Sequence, residues 1–428
     1  MPEAYPEKRI GSGIRYTEIR DEKFRSCLLS VQFCVHRDAA SAAIHALLPD
    51  LLTASSAEYP SVAEMTLRLE LLYAADFLGK LTLCGDDAVL DFTASWLDDR
   101  YALEGEALTD EMLSLVIGAL LHPNAENGAF CDPEFRICKQ NLLDDIDCEQ
   151  NDKRGYTLRQ AAGLAYQGTP AAIPPHGTRA AAKKITPEAA FRLWQEILRT
   201  AAIEIAVVTP APKPQIALRF AEAFRAVPRS PLHFCFDAPC IAKKTVSVQE
   251  ERLPVGQTKL AAVYRYDSIP REVMLMLCSI LGWNSDALLF VNLREKQSLC
   301  YYCCLQHSRS KHTIFIDCGI DAADLNAVRQ EIDAQLKAVQ NGDFTDEMME
   351  KSVLRYACRA AADSDSAYDT AAEMLGRLRS GDLRTPQQMT EALRQVTRAQ
   401  IAEAAKMLQP DSVFILRAER EEAEDDAD

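Results

Sequence analysis

The stretch TPEAAFRLWQEILRTAAIEIAVV, residues 186–208, decides the fold, because the chain contains its counterpart. Thr186 is a natural N-cap, and Pro187 sits at the first-turn position, where a missing N–H is harmless. Ala189 to Leu198 then read as an amphipathic helix, and Ile203-Glu204-Ile205-Ala206-Val207-Val208 as a buried strand. Near the other end, TRAQIAEAAKMLQPDSVFIL, residues 397–416, repeats the plan. Thr397 opens a helix from Ile401 to Leu408, followed by the strand Val413-Phe414-Ile415-Leu416. The two units lie 211 residues apart, about half the chain, which points to a duplicated architecture.

A second echo surrounds the first. In the front half a helix ending near Tyr73 leads into a hairpin, Leu81 to Cys84 and Val89 to Ala94, turning through Gly85-Asp86-Asp87. In the back half a helix ending near Leu299 leads into strands Tyr301 to Gln306 and Thr313 to Cys318, turning through Ser308 to Lys311. Both hairpins precede a helix, capped by Thr109-Asp110-Glu111 in front and running from Ala322 to Leu336 behind. Strands and helices alternate in blocks, which predicts an α+β fold, each half an antiparallel sheet with helices on one face. The expected domains are 1–230 and 235–418, joined past the helix-breaking Thr209-Pro210-Ala211-Pro212-Lys213-Pro214, with an acidic, disordered tail at 419–428.

The 428 residues are 48% hydrophobic, enough for two cores. A net charge of -16 argues against nucleic acid and anionic membranes as partners, and it suits cationic peptides or plain solubility. Met1 to Gly13 has no apolar core of a signal peptide, and no apolar run nears the roughly 18 residues of a membrane span, so a cytoplasmic protein is expected. The fourteen cysteines then read as reduced thiols. Cys300 and Cys303 have CxxC spacing with Cys304 and His307 nearby, but a strand there would turn them to opposite faces and prevent shared zinc ligation.

Leu293-Arg294-Glu295-Lys296-Gln297-Ser298-Leu299-Cys300-Tyr301-Tyr302 carries the chemistry. It resembles the LREK-x-G-L-x-Y segment of the insulinase (pitrilysin and mitochondrial processing peptidase) family of zinc peptidases. The resemblance implies that Arg294 and Tyr301, seven residues apart, grip substrate peptide near the scissile bond. An Arg fork and a Tyr hydroxyl are suited donors to a peptide carbonyl or a tetrahedral oxyanion. Ser298 stands where the family has Gly, which keeps a small residue in a more constrained turn. Leu142-Leu143-Asp144-Asp145-Ile146 resembles the family's VLEEI helix. Pro175-His176-Gly177-Thr178 with Ile185-Thr186-Pro187-Glu188 resembles its GT…I…T-x-E stretch.

The family's inverted zinc motif H-x-x-E-H is missing. Of His36, His45, His122, His176, His233, His307 and His312, only the last two lie within five residues of each other, with no Glu between. The first helix has a stripe of Ile44, Leu47, Leu48, Leu51 and Leu52, and the turn Tyr59-Pro60-Ser61 follows it. Counting back about ten residues puts Ala46, Pro49 and Asp50 at the His, Glu and His positions, with His45 turned about 100° away. Asp145 falls where the third ligand would be, at a longer spacing than the family's. Two carboxylates without imidazoles suit zinc poorly, so no metal or other cofactor is expected in this chain. The resemblance therefore implies a non-catalytic, substrate-binding subunit whose zinc-bearing homologue supplies the metal for peptide processing or degradation. The alternative is a peptide-binding or scaffold protein of the same fold with no part in hydrolysis. No G-x-S-x-G elbow, Walker loop or G-x-G-x-x-G signals another hydrolase.

Overall fold

The computed structural model describes residues 7–418; the acidic tail lies outside the described residues. The front half runs β1 (Glu7–Gly11), β2 (Ile14–Arg20), β3 (Ser26–His36), α1 (Ala42–Ala54), α2 (Val62–Leu71), β4 (Asp76–Cys84), β5 (Asp87–Leu97), α3 (Leu108–Leu121), α4 (Glu134–Cys148), α5 (Lys153–Ala165), α6 (Pro187–Thr200), β6 (Ala202–Thr209) and α7 (Pro214–Arg225). The back half runs β7 (Ser247–Leu253), β8 (Thr258–Arg265), α8 (Arg271–Cys278), α9 (Leu288–Phe290), β9 (Tyr302–Ser308), β10 (Thr313–Ile320), α10 (Leu325–Asn341), α11 (Asp346–Ser364), α12 (Ala367–Ser380), α13 (Pro386–Arg394), α14 (Arg398–Met407) and β11 (Gln409–Ala418).

The first sheet has the order β1-β2-β6-β3-β5-β4, and the second, read from its β7 edge, β7-β11-β8-β10-β9. Strand for strand these orders match, apart from the extra β1. In each sheet one pair is parallel, β2 with β6 and β7 with β11, and the remaining pairs are antiparallel. The fold is α+β with two repeats of one plan. The caps expected at its hallmark units are present: Thr186 Oγ1 accepts from the Ala189 N–H at 3.2 Å, and Thr397 forms a reciprocal capping box with Gln400.

Alternation along each strand separates two faces of each sheet. On one face of the first sheet, Leu29, Val31 and Phe33 pack with Leu48 and Leu52 of α1, Trp194 of α6 and Phe220 of α7. In the second sheet Leu260, Ile314 and Ile415 meet Leu277 of α8, Val328 of α10 and Ile401 of α14. The opposite faces are each covered by one further helix, and that helix is exchanged. α12, from the back half of the sequence, places Ala371, Met374 and Leu375 on Ile19, Leu28, Ala206 and Val208 of the first sheet. α5, from the front half, places Tyr156, Ala161 and Ala165 on Ala261, Val263, Phe315 and Phe414 of the second. The Arg154 guanidinium, 2.5 Å from the buried Asp317 carboxylate of β10, fixes α5 there.

The compact units are accordingly Met1–Asp147 with Ile173–Phe236 and Ala361–Leu383, and Cys148–Ala172 with Asp237–Ala360 and Arg384–Asp428. One boundary between the units falls at 236/237. The exchanged stretches do not follow the simple division into 1–230 and 235–418.

Three local expectations change. Both hairpins are longer than their apolar cores suggested, and the front one turns through Gly85 with φ of 63°. Thr109 lies inside α3; Asp99 supplies the capping carboxylate, accepting from its N–H at 2.7 Å and its hydroxyl at 2.8 Å. Cys300 and Cys303 share one core rather than opposite faces, because the bend at Tyr301 breaks the strand alternation before β9 begins. Cys303 Sγ meets its cross-strand partner Cys318 Sγ at 3.3 Å.

Candidate functional site

Arg294 and Tyr301 flank a turn that closes a helix. After α9 the chain winds as a π-helical turn, Val291–Lys296, and stops at Ser298, whose φ of 53° is left-handed. The Ser298 N–H donates to the Arg294 carbonyl at 3.1 Å, and the Leu299 N–H reaches the Leu293 carbonyl at 2.8 Å. These bonds make a C-terminal cap one residue wider than the usual left-handed closure. Glycine adopts that conformation without strain, so Ser298 tightens the turn as its sequence position foretold. The Tyr301 N–H then joins Gly319 of β10 at 2.8 Å, fixing the exit.

Both side chains face solvent. Arg294 is exposed, with its guanidinium carbon 5.0 Å from the Phe290 ring centroid. Tyr301 is 53% exposed, and its hydroxyl donates to Asp321 Oδ1 at 3.2 Å. The Asp321 charge and that hydrogen bond raise the phenol pKa, keeping Tyr301 a neutral donor. Among the described residues no hydrogen bond joins Arg294 to Tyr301. Asp321 and Phe290, which orient them, carried no sequence signal, since neither spacing belongs to a recognisable pattern.

The degenerate zinc positions lie on α1. Ala46 is half-buried, Pro49 buried and Asp50 exposed. Pro49 gives no N–H to the helix; its own carbonyl accepts from Thr53 Oγ1 at 3.0 Å. α1 lies directly on edge strand β4, where a Cβ on Gly79 would stand 2.4 Å from the Pro49 carbonyl oxygen. The loop before α6 closes on the start of α1, with Gly177 at φ of 67° and its Cβ position 2.9 Å from the Ala43 nitrogen.

That loop brings His176 near Asp50, and α4 brings Asp145. Partial burial and the Asp145 charge raise the Asp50 pKa, while His176 opposes them. Asp50 and Asp145 are therefore neighbours in space despite their separation in sequence. His45 is buried, and burial drives its imidazole down to about 4. A methyl group, a proline ring and one exposed carboxylate do not fit a zinc ion, which takes nitrogen and sulfur readily and needs three protein ligands. Among the described residues no three His, Cys, Asp or Glu side chains converge on a metal-sized site.

The family described as "Peptidase M16 inactive domain" matches residues 184–355, the span that holds the Arg294 turn. Over that span the chain is similar to the inactive domain of insulinase-type peptidases. It is 22% identical over 406 residues to the "Probable inactive metalloprotease YmfF" of Bacillus subtilis (strain 168), covering 93% of this chain and 94% of that one. Among solved structures it is similar to a conserved protein from Enterococcus faecalis V583, with a TM-score of 0.90, 21% identity, and coverage of 97% of this chain and 99% of that one. A peptidase M16 inactive domain from Pseudomonas fluorescens matches with a TM-score of 0.79 at 16% identity, covering 96% of this chain and 97% of that one. These structural likenesses establish the fold.

Proposed function

We propose that this chain is the non-catalytic, peptide-holding subunit of a two-chain zinc endopeptidase in the cytoplasm, completed by a homologue that carries H-x-x-E-H. One observation carries the reading: α1 has no metal ligands, yet Arg294 and Tyr301 both face solvent on a capped, hydrogen-bonded turn. Loss of the metal set with retention of exposed donors is what a division of labour between chains requires. Arg294 offers a fixed fork and Tyr301 a neutral hydroxyl to a peptide oxygen, while the partner's zinc activates water. Activity then depends on assembly, since the donors are useful only when placed about 3 Å from the developing oxyanion. Short or unfolded peptides are the substrate class.

The decisive experiment mixes this chain with its zinc-bearing homologue from the same host and follows cleavage of a peptide library. The chain alone should release no product and hold no stoichiometric zinc, and adding it should raise the partner's turnover. Equal turnover with and without it would dismiss the reading.

A second reading, a peptide-binding or scaffold protein with no role in hydrolysis, is favoured by the bond from Tyr301 to Asp321. That hydroxyl already has an acceptor, and it must turn away to serve an oxyanion. Peptide binding without any gain in the partner's turnover would select this alternative.

A further inference from the structure

The first unit holds a cavity of about 520 Å³ on the sheet face opposite α1. Arg15, Cys34, Val89 and Glu204 project from β2, β3, β5 and β6 on that face, Arg9 comes from β1, and Arg379 ends α12. The charges are unevenly satisfied. Arg15 is held by Glu204, with Nε 2.7 Å from Oε1, and Asp87 is held by His36 at 2.6 Å. Arg379 donates to the neutral Gln32 and meets the Cys84 thiol, with the Glu204 carboxylate in electrostatic reach, while the Arg379 Nε is buried without a hydrogen bond. Arg9 has no carboxylate within ion-pair distance among the described residues. Two guanidinium groups without an ion pair among the described residues thus line one half-open cavity, Arg9 at its exposed edge. A buried N–H left unbonded is costly, and a charged acceptor relieves it best.

Apart from His233, the rest of the lining is largely apolar. Leu232, Phe234 and Phe236 come from the segment after α7, and Phe234 stacks on the His36 ring with centroids 4.5 Å apart. The cavity has the size of a small-molecule site and the usual make-up of one, an apolar wall with a few directed polar groups. We propose that it is a second binding site, taking a small carboxylate with an apolar body, of the kind presented by the C-terminal residue of a short peptide. The carboxylate meets Arg379 and Arg9, and the body packs on Phe234 and Leu232. Burial pushes the Cys34 thiol up to about 11, so it stays protonated and binding is non-covalent. The site uses neither Arg294 nor Tyr301, and stands or falls apart from the peptidase reading.

Calorimetric titration of the full chain tests it, with N-acetyl-leucine, its uncharged amide and inorganic phosphate as probes. The acid should bind and raise the melting temperature, and the amide should bind at least about tenfold more weakly. R379Q should weaken the acid by about tenfold or more and leave the amide unchanged, while R294A binds the acid like the native chain. If R379Q fails to melt cooperatively, R9Q and the acid-against-amide comparison on the native chain decide. Equal affinity for acid and amide, no binding of the acid at millimolar concentration, or binding of phosphate alone would each overturn the proposal.

Discussion

At the scale of single residues, the account turns on groups whose surroundings set their chemistry. His45 belongs to the degenerate helix yet is buried, with its imidazole near 4 in place of 6.5. Its folded state therefore refuses a proton that the unfolded chain accepts. That contribution is fully present above pH 6.5 and is lost as pH falls toward 4, to an extent of about 3 kcal/mol. Urea unfolding from pH 7 to pH 4 should show this decline, and His45→Gln should flatten it; an unchanged slope would mean that His45 is solvated. Ser298 gives a prediction of opposite sign. Its left-handed φ strains a residue with a Cβ, so Ser298→Gly should stabilise the chain by about 0.5–1 kcal/mol, read as a higher urea midpoint. The missing zinc set was legible at this scale, because metal ligation demands particular side chains at fixed spacing. Asp321 and Phe290 were not legible, because a hydrogen bond or a stacked ring across a turn has no required spacing in sequence.

At the scale of elements, packing decides which changes are tolerated. Gly79 on β4 lies under α1, and a methyl group there meets backbone atoms of Pro49 rather than a side chain that can swing aside. Gly79→Ala should therefore lower stability by about 1–3 kcal/mol in a denaturant titration, and a change below a few tenths would contradict the close approach. Strands and most helices were readable because apolar periodicity and caps are local; Thr186 and Thr397 cap where their sequence says. The destinations of α5 and α12 were not readable. An apolar stripe states that a face is buried without naming the sheet that buries it. Cys300 and Cys303 were misread for a related reason: strand alternation was extended through a bend at Tyr301. The cavity around Arg379 draws on six separated segments and has no local signature at all.

At the scale of the whole molecule, the helix exchange makes each unit depend on the other half of the sequence. A fragment ending at residue 236 lacks α12 and should expose Ile19, Leu28, Ala206 and Val208, seen as dye binding and aggregation. Co-expression with residues 237–428 should suppress both; a monodisperse, cooperatively melting fragment would contradict the exchange. In the proposed function, Arg294 and Tyr301 act on peptide held at another chain's zinc. Its most direct test is the turnover of this chain mixed with its zinc-bearing homologue, native against Arg294→Ala and Tyr301→Phe. The account predicts a loss of about 10²-fold for each at unchanged assembly, the scale for removing one oxyanion donor. Full turnover with both residues changed together would contradict it.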